Sequence, residues 1–176
     1  MDASYCSVMN RPIPRLSILT FPVLLLWFSA LCKAQSVCPW LNEATASGLV
    51  GKPMSAPVIS GSASNVTCTF DGQKGGNVAK LSISVIQMND PATEYARFQQ
   101  KCRLPGAALP AIGNEAILCR ADVSPQTHAE RVVGRVRDRA FIVTVSNNAR
   151  FKPPFSRGTI EGQAKAVAEQ VAGILF

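Results

Sequence analysis

The chain has 176 residues, 47% of them hydrophobic, with 18 Lys and Arg against 11 Asp and Glu and a formal net charge of +7. Such a mildly basic balance is ordinary for a folded domain and also suits contact with an acidic surface. Without a Lys/Arg run or interleaved basic and aromatic residues, it argues against a nucleic-acid partner.

The N-terminus reads as an export signal. Arg11 and Arg15 precede an apolar run from Leu16 to Leu31, and Cys32-Lys33-Ala34 follows. A basic stretch, an apolar stretch and small residues at −3 and −1 mark cleavage after Ala34. Segment 1–34 is then a signal peptide, and 35–176 is a single exported domain, secreted or periplasmic. Met9 is an alternative start, which would remove Cys6. Two other fates stay open. An uncleaved membrane anchor would have 17 residues between Arg15 and Lys33, at the lower limit of a span and interrupted by Pro22. Lipidation of Cys32 would place Leu31 where a small residue is expected.

Past the signal, Asn42 is an N-cap for a short helix over Glu43–Val50, with Gly51 at its C′ position. Pro53 and Pro57 then keep the chain extended. Val66, Cys68 and Phe70 alternate with Asn65, Thr67 and Thr69, a strand with one apolar face. A glycine-rich turn over Asp71–Asn77 leads into a second strand, Val78–Met88, and the two form an antiparallel hairpin. Asp90 and Pro91 start a second helix on which Tyr95, Phe98 and Cys102 share a face, ending before Pro105-Gly106. Strands follow over Ala116–Ala121, Glu130–Arg137 and Arg139–Ser146, the last two joined tightly at Asp138. A loop over Asn147–Pro154 precedes a final helix over Thr159–Leu175 with Ala164, Val167, Val171, Ile174 and Leu175 as its apolar stripe. The order α-β-β-α-β-β-β-α implies an α+β fold: an antiparallel sheet of about five strands packed with two or three helices.

Four cysteines remain beyond the signal, which points to disulfides in an oxidising compartment. They allow three pairings. The favoured one joins Cys38 to Cys68 and Cys102 to Cys119. Cys38 precedes the first helix, and Cys68 lies on the strand face where that helix would pack. Cys102 ends the middle helix on its buried side, and Cys119 lies on the next strand. Four buried free thiols require a reducing compartment. A zinc site lacks any C-x-x-C, and a catalytic thiol would have only His128 as its base.

Several short motifs recur together: Cys38-Pro39-Trp40-Leu41 with Gly48-Leu49-Val50-Gly51, then Val66-Thr67-Cys68-Thr69-Phe70, Tyr95-Ala96-Arg97-Phe98 and Ile112-Gly113-Asn114-Glu115-Ala116. A Val-rich hairpin and a C-terminal Ala/Val/Leu helix close the pattern. With these residues the domain resembles a family of small exported bacterial proteins and lipoproteins. The resemblance implies a PsbP-like α/β/α sandwich and export, and it implies no activity. The signal departs from that family's lipobox.

No catalytic, cofactor or metal constellation stands out. His128, in Ser124-Pro125-Gln126-Thr127-His128, reads as a solvated loop residue without a nucleophile or an orienting carboxylate. Arg131, Arg135 and Arg137 share strand parity and Arg139 lies across the turn; together they form either an anion-contact patch or a solvated face paired with Glu130 and Asp138. Gly113-Asn114-Glu115 reads as a turn before a strand, with an amide ligand site as the sharper alternative. Asn65-Val66-Thr67 is a glycosylation sequon set within a strand. Gly72–Gly76 lacks the G-K-[ST] of a phosphate loop. The expectation is a non-enzymatic envelope domain that binds a protein, glycan or lipid component through one face of its sheet, without nucleic acid or cofactor. Membrane association would follow only from an uncleaved N-terminal segment or from lipidated Cys32. A small-molecule or lipid carrier with a pocket between sheet and helices is the first alternative, and a hydrolase the second.

Overall fold

Seven antiparallel strands form one sheet in the computed structural model, which describes residues 37–74, 77–102, 106–121, 127–148 and 157–176. The export signal read over 1–34, with Cys6 and Cys32, lies outside these residues. So do the glycine pair at 75–76 and most of the loop read over 147–154. The elements are α1 (Glu43–Val50), β1 (Val58–Ser62), β2 (Asn65–Lys74), β3 (Asn77–Gln87), α2 (Pro91–Gln99), β4 (Ala107–Ala108), β5 (Glu115–Arg120), β6 (Thr127–Val136), β7 (Arg139–Asn148) and α3 (Arg157–Leu175). Across the sheet the strands run β1-β2-β3-β7-β6-β5-β4.

The fold is α+β, as expected, but the sheet has seven strands where about five were expected. β1 and β4 are the additions. β1 is built from the small-residue stretch after Pro57, which carries no alternation, and β4 is only two residues long. Each is an edge strand held by a stronger neighbour: Ile59 pairs with Cys68, and Ala107 with Leu118. β6 also starts earlier than expected, at Thr127, because β7 continues past Ser146 and offers Asn147 and Asn148 as partners.

Strand parity sorts side chains onto two faces. On one, the row Cys68–Ile83–Val143–Val132–Leu118 runs in register through five strands. α1 and α3 cover this face. Ala46 and Val50 of α1, and Ile160, Ala164, Val167, Ala168, Val171, Ala172 and Leu175 of α3, join these strand residues in one buried core. Gly134 belongs here because the ring of its cross-strand partner Phe141 occupies the space a Cβ would need. Asn42 caps α1 by accepting from the Thr45 N–H at 2.8 Å. Gly51 ends the helix at φ 70°, a left-handed conformation that favours glycine. Gln163 Nε2 then donates to the Val50 carbonyl at 2.6 Å, joining the end of α1 to α3.

α2 lies on the opposite face and packs on β6 and β7. Asp90 accepts from the Thr93 N–H, Pro91 opens the helix, and Glu94 Oε1 accepts from the Asn89 and Asp90 N–H groups at 3.0 Å each. Bonds from the Thr93 side chain and backbone hold the Asp90 carboxyl below its ordinary pKa. A smaller cluster of Met88, Tyr95, Val133 and Ala140 forms beneath, edged by Ile86, Phe98, Cys102, Ile117 and Ile142. Tyr95 Oη donates towards the Val133 and Glu115 carbonyls at 3.2 and 3.3 Å, and burial raises its pKa. The helix ends at Gln99, three residues short of Cys102, contrary to the expected face. Tighter bonds from Lys101 N to Phe98 O and from Cys102 N to Gln99 O make the last turn.

The disulfides join Cys38 to Cys68 and Cys102 to Cys119, with sequence separations of 30 and 17. The first fixes the segment ahead of α1 to β2; the second ties the chain after α2 to β5. Among the described residues no helix is long and apolar enough to cross a membrane.

Candidate functional site

The chemistry-bearing residues fall in three places. The first surrounds His128, which lies on β6 and not in a loop. Its side chain is exposed, and its register partner on β7 is Asn147. Asn147 is buried and its Oδ1 accepts from Lys52 Nζ at 3.3 Å, with Lys52 only 6% exposed. Glu130, also buried, occupies the same face two residues beyond His128. Buried Lys and Glu side chains are rare unless partnered. Here Lys52 fixes the segment between α1 and β1 to the end of the sheet. The arrangement brings no hydroxyl or thiol nucleophile to the imidazole among the bonds of the described residues. No group of three His, Cys, Asp or Glu residues among them stands close enough to hold a metal ion. No sequence signal marked Lys52 as buried.

The four arginines are placed in four different settings. Arg135 forms an ion pair with Glu115, donates to the Arg137 carbonyl at 3.4 Å and stands 5.9 Å from the Tyr95 ring centroid. Arg137 sits in the β6–β7 turn at φ 55°, where its N–H donates to Asn114 Oδ1 at 2.6 Å. Arg139 starts β7 with an exposed side chain. Arg131 is about 13 Å from Arg135 along β6, beyond Val133. Glu130 and Asp138 do not pair across this face as the solvated-face reading had it. Glu130 points to the opposite side of the sheet, and Asp138 Oδ2 accepts from Gln87 Nε2 at 2.6 Å. Gly113-Asn114-Glu115 is the turn it was read to be, because the Asn114 N–H is used by the Arg135 carbonyl at 2.8 Å.

The third place is the part of the α2 face that α2 does not reach. Register puts Ser60, Thr67 and Ser84 in one row, and Val58, Thr69, Ser82, Thr144 and Arg131 in the next. Neighbours within a row are ~4.8 Å apart and the rows about 6.7 Å apart. Thr67 Oγ1 and Ser84 Oγ are hydrogen-bonded at 2.8 Å, and Arg131 Nε donates to Thr144 Oγ1 at 3.2 Å. Thr67, Thr69, Ser82, Ser84, Thr144 and Arg131 are all half-buried by their strand neighbours. A flat, hydroxyl-lined surface results, with one guanidinium set into it. Its signal in the sequence is a polar parity shared by β2, β3 and β7, visible only once the strands are aligned.

A groove of about 530 Å³ also opens between Leu49 of α1 and Ala166, Gly173 and Ile174 of α3. It lies on the outer side of the helices, and the sheet does not line it. Between α3 and the sheet, Val132, Val143, Val167 and Val171 all have zero exposure.

Neither a family model nor a curated protein sequence matches this chain.

Proposed function

We propose that this is an exported, non-enzymatic domain that binds an envelope component or a protein partner through the open part of its α2 face. The observation that carries the reading is the pair of hydroxyl rows, which no described helix covers and which includes one guanidinium. On a sheet whose other face carries the main apolar core, such a surface has no packing role. Two disulfides favour an oxidising compartment, and segment 1–34 would direct the chain there as a cleaved signal. Kinship with the small exported PsbP-like proteins is proposed on the same footing.

The carrier reading ranks second, supported by the groove between α1 and α3, although that groove is not the sheet–helix pocket a carrier of the expected kind would use. A hydrolase ranks third, because exposed His128 has Asn147 opposite it and, among the described residues, makes no bond to a hydroxyl or thiol.

Affinity capture from the native envelope tests the proposal. Wild-type protein should retain a component that Ser82→Trp, which raises a bulky ring from the centre of the rows, fails to retain. Equal retention by both proteins, each with its native melting temperature, would overturn it.

A further inference from the structure

Arg131 and Arg135 occupy the same strand and the same face, yet their guanidinium groups are used differently. Arg135 is consumed by Glu115, the Arg137 carbonyl and the Tyr95 ring. Arg131 spends one nitrogen on Thr144; among the described residues its guanidinium makes no other hydrogen bond or ion pair. No buried side-chain nitrogen or oxygen among them lacks a partner, so the two remaining amino groups of Arg131 are not fully buried.

Thr144 therefore does more than satisfy Nε. It ties one edge of the planar fork to β7 and leaves the terminal nitrogens unbonded among the described residues. A fork fixed in this way has lost part of its freedom before binding, and it matches the two oxygens of an acidic group. The two rows around it contain no carboxylate. Asp71 lies one row further on, in register with Lys80, and Glu115 is already paired. The local charge is uncompensated and positive.

The rest of the surface defines the remainder of the ligand. Ser and Thr hydroxyls both donate and accept, as sugar hydroxyls do. Neither row has an aromatic residue; Val58 is the exposed aliphatic side chain at the sheet edge, and beyond Ser84 the first row passes to half-buried Ile142 and buried Val133, which belong to the cluster beneath α2. A lipid tail or a hydrophobic peptide anchor would find no pocket here. We infer that Arg131 is the acid-recognising residue of a glycan-binding surface, with an acidic polysaccharide as its ligand. The inference rests on the open-face reading and specifies its ligand.

The test measures binding of the full chain, with its disulfides formed, to polygalacturonate, dextran sulfate, neutral dextran and vesicles of anionic phospholipid. Carboxylate and sulfate polymers separate the two acidic groups that could fit. At least one acidic polymer should bind, more weakly as salt is raised. Arg131→Gln should lose at least about tenfold in affinity, as expected for a charge-assisted pair. Thr144→Val, which releases the fork, should lose a smaller factor. Arg137→Gln, which removes the same charge from the turn, should leave affinity unchanged. Equal losses from Arg131→Gln and Arg137→Gln would overturn the inference. So would equal binding of neutral dextran, binding of vesicles alone, or no binding to any polymer. Envelope capture separates this from the wider reading. If Ser82→Trp abolishes capture and Arg131→Gln does not, the open face stands and the acidic ligand falls. If Ser82→Trp changes nothing, the open face itself falls.

Discussion

The two faces of this sheet are built from the same strands and differ only in parity, yet they have opposite characters. On the α1/α3 face the central rows are apolar, and the helices bury them, with Asn147, Glu130 and exposed His128 at one end. On the α2 face, the end beneath Tyr95 is apolar, and beyond it the positions turn to hydroxyls and Arg131. The larger core therefore lies on one side of a single layer, and on the other side no helix among the described residues covers the hydroxyl rows. A helix of nine residues covers the apolar end of that side.

The sharpest way to break this division is to compare equivalent truncations on the two sides. Phe141→Ala, at a site with zero exposure on the α1/α3 face, should cost about 3–5 kcal/mol in urea denaturation. Next in size, replacing Cys38 and Cys68 together by Ala should cost roughly 3–4 kcal/mol in the chain-entropy model, because it frees the segment ahead of α1. Asn147→Ala removes an oxygen that accepts from buried Lys52 and should cost about 1–3 kcal/mol.

A smaller effect belongs to the cap of α2. The Asp90 carboxyl is held below its ordinary pKa in the folded state, so its contribution is present above the unfolded-state value and is lost as pH falls through the folded-state value. Thermal melts of Asp90→Asn should accordingly show a shallower acid decline than those of the wild type. Smallest of all, Thr69→Ala and Ser82→Ala should change stability by no more than about 0.5 kcal/mol. A loss comparable to that of Phe141→Ala at either position would mean that the open face carries the fold.

Much of the fold was legible because its strong strands alternate. Val66, Cys68 and Phe70, or Phe141, Val143 and Val145, announce a strand and its buried side at once. The helix starts at Asn42 and Asp90 were equally plain, since a cap is a local chemical device. β1 and β4 were hidden because they take their structure from β2 and β5 and carry no pattern of their own. The end of α2 was misjudged because Cys102 keeps the helical spacing while the backbone has already tightened. The open face was half legible: Thr67 and Thr69 stood out as the polar side of one strand. That Ser82, Ser84, Thr144 and Arg131 extend the same surface depends on register, which is set by long-range pairing. The arginines show the same limit. Parity grouped Arg131 with Arg135, and Glu115, arriving from β5, sets the ion-paired guanidinium apart from the one that bonds Thr144.

The most direct test is methyl and guanidinium NMR of the isotope-labelled chain titrated with extract of its own envelope. Shifts should concentrate on the methyls of Thr67, Thr69 and Thr144 and on the Arg131 side chain, leaving Val143 and Val167 unmoved. Shifts at Leu49 and Ile174, with the threonine methyls unchanged, would contradict the account and place binding in the groove between α1 and α3.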